Sequence, residues 1–87
     1  MPANEIATEL EAFLRATFAI PSDDAAFGRD VHLFNYGYVD SFGAVEIVTF
    51  LETECSIEVQ PSDFIDHPLN TVNEIADFAV RRQRGDI

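Results

Sequence analysis

The sequence predicts an all-α fold, a bundle of four helices in which three are long, one is short and the first loop is long. Three segments carry apolar residues at the 3.6-residue period of an amphipathic helix, and a capping box introduces the last of them. Residues 56–60 alternate like a strand, but so short a run has no partner strand in the chain. We expect it to be an extended connection.

The first helix is predicted over residues 4–18, where the apolar side chains share one face. They are Ile6, Leu10, Phe13, Leu14 and Phe18. Residues 19–40 have no clean period, yet they are too apolar for a free linker. We therefore expect a long loop held against the core by its own side chains, with a short helical turn near residues 30–35. Gly37 is expected to adopt a backbone angle that other residues avoid.

The second helix, predicted over residues 41–55, has two apolar faces. One is expected in the core and consists of Ala44, Ile47, Val48, Leu51 and Cys55. The other consists of Phe42, Val45, Glu46 and Thr49. The glutamate on this second face favours exposure to solvent. Because Cys55 lies on the apolar face that is expected in the core, we expect it to be buried and to have no redox or metal role.

The start of this helix is marked by Asp40 and Ser41, whose short side chains both suit an N-cap. We expect Ser41 to project into solvent and to contribute to the cap, so that replacing it costs about 1 kcal/mol. Gly43, in the first turn, is expected to leave Ser41 uncrowded.

Two further elements complete the bundle. Residues 61–65 predict a single helical turn that Ser62 is placed to cap. Thr71 and Glu74 then form the capping box of the last helix, which ends at Gly85. Its inward residues are Val72, Ile75, Ala76, Ala79 and Val80. The arginines near its end suit the negative end of the helix dipole, which explains them better than a nucleic-acid patch.

The composition predicts one domain, residues 1–87, with a strongly acidic surface. The net charge is −11, and residues 31–80 contain nine Asp or Glu residues and neither Lys nor Arg. Such a surface repels nucleic acid and anionic membranes, and it attracts basic protein surfaces. Because there is no signal core and no apolar run approaching ~20 residues, we expect a cytoplasmic monomer without membrane insertion.

The sequence contains no catalytic constellation. A hydrolase elbow needs glycine two residues before its serine, and Val39 stands there relative to Ser41. His32 and His67 lack a triad context, the acids lack the spacing of a calcium loop, and no glycine-rich phosphate loop is present. We therefore expect neither enzymatic activity nor a metal site.

The segment around Asp40 and Ser41 resembles the modification site of the acyl and peptidyl carrier proteins. The resemblance covers nearly the whole chain: its length, its acidity, the helix order, the long first loop, Asp-Ser followed by Phe42, and a last helix led by Thr71. It implies an acyl-carrier-protein-like bundle. It also implies that a phosphopantetheinyl transferase attaches 4'-phosphopantetheine, taken from coenzyme A, to Ser41, with Asp40 as the flanking motif residue. The thiol of that group would then carry acyl or aminoacyl groups as thioesters.

The resemblance also implies partner proteins. The family docks partner enzymes at the positions that correspond to Phe42, Val45, Glu46 and Thr49. These would be the transferase, an adenylating acyl or aminoacyl ligase, and a downstream acyltransferase or synthase of fatty acid or secondary metabolite biosynthesis. Phe42 and Gly43 replace the residues usual in fatty-acid carriers. Together with residues 59–64, they are more similar to stand-alone D-alanyl or other aminoacyl carriers.

An alternative function remains open from the sequence, a non-enzymatic acidic adaptor or nucleic-acid mimic that occupies a basic site on a partner. It accounts for the charge but not for the context of Asp40 and Ser41. A third reading is that the acids only keep a small protein soluble.

Overall fold

The computed structural model describes residues 2–87, so Met1 of the expected domain lies outside the described residues. It contains four helices: α1 (Ala3–Thr17), α2 (Ser41–Glu54), α3 (Asp63–Asp66) and α4 (Val72–Arg84). Within residues 2–87 there is no strand, and residues 56–60 connect α2 to the next helix without regular secondary structure, beginning at Ser56 with a positive φ of 54°. The all-α prediction, with three long helices and one short one, is confirmed.

The helices enclose one apolar core, in which α1 packs against α4. The sequence analysis assigned most of its members, and the fully buried Ile6, Leu10 and Leu14 confirm the face of α1. Two aromatic residues of the helices are among those that the periodicity did not assign. Phe50 and Phe78 are buried as well, and the ring of Phe50 lies 5.0 Å from that of Phe13, centroid to centroid.

The long first loop is held against the core, as the sequence predicts. Phe27, Leu33 and Val39 are buried. The Leu33 N–H donates to the carbonyl of Asn70 at 2.8 Å, which fastens the loop to the segment before α4. Close to the expected helical turn, the loop has hydrogen-bonded turns over residues 33–37, in which the Tyr36 N–H donates to the carbonyl of His32, and Gly37 has the expected positive φ of 78°.

Two of the five arginines fasten this loop to α1. The Arg29 guanidinium forms an ion pair with Glu11 and donates to the Thr8 hydroxyl at 2.8 Å. Arg15 donates to the carbonyl of Pro21, and its guanidinium lies 4.7 Å above the centre of the Phe27 ring. These cations therefore hold the fold together on the α1 side and leave the acidic surface of residues 31–80 unneutralised.

A third arginine fastens the α3 segment to α4. The Asp63 carboxylate, 5 % exposed, accepts two hydrogen bonds from Arg82, at 2.8 and 3.2 Å, and one from the Gln60 N–H at 2.8 Å. Arg82 also donates to the carbonyl of Glu58 at 2.9 Å. The expected Ser62 cap is wrong, since the Ser62 side chain makes no capping hydrogen bond.

Burial protects the thiol of Cys55, as the sequence predicts. Its side chain is buried, and this burial, together with the nearby Glu9 and Glu54 charges, raises the pKa of the thiol. Because the thiolate is the reactive form, we expect a thiol reagent at neutral pH to label the native protein at least about a hundredfold more slowly than the denatured protein. Equal rates would contradict a core position for Cys55.

Candidate functional site

Ser41 occupies the first position of α2, and its side chain is exposed. The N-cap is Asp40, whose carboxylate accepts a hydrogen bond from the Gly43 N–H at 2.8 Å. The expectation that Ser41 contributes to the cap is therefore wrong. Asp40 holds the start of the helix, and the Ser41 hydroxyl makes no hydrogen bond within residues 2–87, so it is free to react.

The first turn of α2 offers unpaired backbone donors beside Ser41. Asp40 engages the N–H of Gly43 through its side chain and that of Ala44 through its carbonyl. No described residue accepts from the N–H groups of Ser41 and Phe42, as is usual at a helix start. Together with the positive end of the helix dipole, these donors favour a negatively charged group attached at Ser41.

Gly43 allows α2 to approach the first loop and the end of α1. It is buried, and a Cβ built on it would lie 2.7 Å from a methyl carbon of Val39 and 2.9 Å from the ring of Phe18. Such distances are shorter than packed carbon atoms allow. The reason for glycine is therefore close packing on its own side, rather than the room around Ser41 that the sequence analysis expected.

The second face of α2 lies at the surface. Phe42 is 83 % exposed and Val45 61 % exposed, and Glu46 and Thr49 are exposed beside them. Large apolar side chains that remain in solvent on a helix whose opposite side fills the core are typical of an interaction surface. The structure thus places the four residues of the predicted docking face together on the outside of α2, in the two turns that follow Ser41.

One exposed apolar residue near this face was missed by the sequence analysis. Ile65 of α3 is 86 % exposed. Its neighbour Phe64 is half-buried and packs against the core. In a single helical turn the apolar period is too short to show which of two adjacent apolar residues points inward.

An apolar groove of about 320 Å³ runs between α2 and the α3 segment. It is lined by Ala44, Val45, Val48, Val59, Gln60, Pro61 and Phe64. Ser41, Ala44, Val45 and Val48 follow the spacing i, i+3, i+4, i+7, so Ser41 stands above the same side of α2. A second, more polar groove of about 500 Å³ lies beside Asp40, Phe42 and Glu46, toward Thr17 and Tyr38. The exposed face of α2 therefore has a groove on each side.

The residues at the head of α2 fit a phosphopantetheine group. An exposed, unbonded serine hydroxyl can attack the phosphorus of coenzyme A that bears the pantetheine without unfolding of the chain: an O–P bond forms, the phosphoanhydride bond breaks, and the adenosine bisphosphate leaves as the hydroxyl proton is lost. The free N–H groups of the first turn suit the phosphate that results. Within residues 2–87, none of the helices has the length and apolarity needed to cross a membrane.

Comparison with known proteins gives two matches. Residues 8–79 match the family model described as the phosphopantetheine attachment site. The chain is also similar to a D-alanyl carrier protein of Streptococcus uberis, with 38 % identity over 55 residues that make up 63 % of this chain and 70 % of that protein. Since the family model spans far more than half of the chain, the protein belongs to the phosphopantetheine-binding carrier proteins, which hold acyl or aminoacyl groups on this prosthetic group.

Proposed function

We propose that Ser41 is the residue to which 4'-phosphopantetheine is attached. The observation that carries this proposal is the position of Ser41, exposed and unbonded at the first residue of α2, inside the region that matches the family. The other serines suit the role less well. Ser22 lies in the first loop, Ser56 follows the end of α2 with a φ of 54°, and Ser62 precedes a helix of only four residues.

The geometry supports a stabilised phosphodiester at Ser41. The phosphate would lie beside the unpaired N–H groups of Ser41 and Phe42, at the positive end of α2. When bound, the prosthetic group supplies a thiol that carries the cargo as a thioester. The chain's own residues hold the attachment point in solvent and present a recognition surface. We infer that they perform no catalysis themselves.

The similarity to a D-alanyl carrier protein supports an aminoacyl cargo, D-alanyl or another amino acid, over a fatty acyl chain. An adenylating ligase would load it, and an acyltransferase or synthase would receive it. We further propose that residues 1–87 act as one carrier unit, as a monomer in the cytoplasm. The family match favours this function over the acidic adaptor, because charge alone does not account for the match.

We propose that the exposed face of α2 docks the transferase and the ligase. Phe42 and Val45 supply apolar contact area, and Glu46 supplies charge at its edge. Residues 31–80 contain no Lys or Arg, so a basic partner surface would meet no like charge on this segment.

Reversing one charge on this face is expected to weaken docking. Because an exposed ion pair contributes up to about 1 kcal/mol, Glu46→Lys should raise the KM of the transferase for the apo-protein about fivefold. The effect should grow at low ionic strength, where screening is weaker. Thermal stability should change little, since Glu46 is exposed.

The matched control is Glu54→Lys, which makes the same charge change at an exposed position near the other end of α2. If docking depends on charges of this face rather than on the net charge of the protein, Glu54→Lys should leave the KM within about twofold of the wild-type value. Equal effects of the two variants would show that only the net charge matters. Unfolding of Glu46→Lys would contradict the exposed position of this side chain.

The attachment of the cofactor is tested by treating the purified protein with coenzyme A and a promiscuous phosphopantetheinyl transferase. We expect the intact mass to increase by one phosphopantetheine group. Addition of an adenylating aminoacyl ligase, ATP and its amino acid should then add one aminoacyl group that hydroxylamine removes, as expected for a thioester. A protein left unmodified by several such transferases would contradict the proposal.

A further inference from the structure

The α3 segment, which forms one wall of the apolar groove, is held in place from α4. Gln60, Pro61 and Phe64 line the groove, whereas Asp63 and Arg82 contribute nothing to its lining. The buried Asp63 carboxylate accepts from the Gln60 N–H and from both terminal nitrogens of Arg82. Arg82 also donates a hydrogen bond to the carbonyl of Glu58, so residues 58, 60 and 63 are all tied to the one Arg82–Asp63 pair.

Besides this tie to α4, the segment is held by the backbone hydrogen bonds of its own turns and by Phe64, which packs against the core. α3 has only four residues, and Ser62 does not cap it. A helix so short does not form on its own. The Arg82 guanidinium is itself held by the Phe78 ring, whose centre lies 4.9 Å from its central carbon. Through Arg82, α4 thus ties down the groove wall at Glu58 and Asp63.

Of the two apolar residues placed in this way, Phe64 packs against the core and Ile65 is left in solvent. Ile65 is 86 % exposed, directly after the groove residue Phe64. Acidic residues without any Lys or Arg surround them in the sequence, with Glu58 on one side and Asp66 on the other. A partner surface complementary to this one would have basic residues around an apolar side chain that enters the groove.

We propose that Arg82 is a positioning residue for partner recognition. Through Asp63 it sets Phe64 against the α2 side of the groove and leaves Ile65 exposed beside it, so that the groove fits an apolar side chain on the basic surface of the phosphopantetheinyl transferase. This inference rests on the proposed function, because it assumes that the transferase acts on the apo-protein at Ser41. It adds a residue from the last helix to a recognition surface otherwise built from α2 and α3.

The test is the steady-state kinetics of phosphopantetheine transfer with the concentration of apo-protein varied. Arg82→Lys keeps the charge but loses the forked guanidinium that reaches two oxygens of Asp63 and the carbonyl of Glu58. It should raise KM about threefold with kcat within about twofold, at a temperature where circular dichroism shows the variant folded. Arg82→Met should raise KM further if it folds.

Two comparisons distinguish a positioning role of Arg82 from a loss of protein stability and from the loss of a positive charge. Ile65→Ala should raise KM about threefold, and the double variant Arg82→Lys/Ile65→Ala should show no more than the larger single effect, because both act through one contact. Arg84→Met removes a positive charge from the same helix, at an exposed residue without an ion pair inside residues 2–87, and should leave KM within about twofold.

A wild-type KM in Arg82→Lys, or additive effects in the double variant, would overturn the positioning role while leaving Ser41 as the attachment site. Failure of the wild-type protein to be modified at Ser41 would instead overturn the proposed function. Native circular dichroism, with KM raised in Arg82→Lys and Ile65→Ala, not raised further in the double variant, and unchanged in Arg84→Met, is the result that the inference predicts.

Discussion

Replacement of Ser41 by alanine is expected to abolish the attachment of phosphopantetheine completely. The alanine side chain has no nucleophilic oxygen, and no other serine shares the exposed, unbonded position at the start of α2. The variant should remain folded. Because Asp40 provides the N-cap, the free energy of unfolding should change by no more than about 0.5 kcal/mol. Intact mass after treatment with transferase and coenzyme A, together with a urea melt, measures both effects.

The matched control for stability is Asp40→Ala. It removes the carboxylate that accepts from the Gly43 N–H, and should lower the free energy of unfolding by about 1 kcal/mol. If Ser41→Ala were the more destabilising of the two, the assignment of the cap to Asp40 would be wrong. Residual modification of Ser41→Ala would contradict the assignment of the site.

Replacement of Asp63 by alanine is expected to destabilise the protein most. It leaves Arg82, whose side chain is only 21 % exposed, without its carboxylate partner, and it leaves the Gln60 N–H without its side-chain acceptor. Removal of one partner from a buried ion pair costs about 3 kcal/mol. The urea midpoint should fall accordingly. Asp66→Ala, at an exposed position on the same short helix, should change stability by about 0.5 kcal/mol or less.

The pH dependence of this effect has a definite direction. The hydrogen bonds from Arg82 hold the pKa of Asp63 below its usual value, while burial opposes them in part. Asp63 therefore contributes its stability above the pKa of the unfolded chain, about 3.9, and loses it as the pH falls through the lower folded pKa. The difference in unfolding free energy between wild type and Asp63→Ala should shrink as the pH is lowered below about 5. A constant difference would contradict the ion pair.

The helices could be predicted because their signals are local. The apolar period places α1, and the pairing of Thr71 with Glu74 marks the start of α4; both bonds of that capping box are present. The exposed face of α2 also follows from its period, since a helix with two apolar faces and a glutamate on one of them must leave that face outside.

Other features depend on contacts between distant residues, which a sequence pattern does not show. Asp63 and Arg82 are 19 positions apart, and nothing in either local sequence indicates a bond between them. Gly43 was read as making room for Ser41, whereas its reason is the approach of Phe18 and Val39. The choice between Asp40 and Ser41 as the cap depends on backbone conformation, and both side chains suit the role.

The central claim, that this carrier holds its prosthetic group on Ser41, is tested most directly by locating the added group. The wild-type protein is modified with coenzyme A and a transferase, digested, and the modified peptide is fragmented in a mass spectrometer. The account predicts that all of the added mass lies on Ser41, within the peptide that contains Asp40 and Phe42. Mass located on Ser22, Ser56 or Ser62 instead, or no added mass on any peptide, would contradict it.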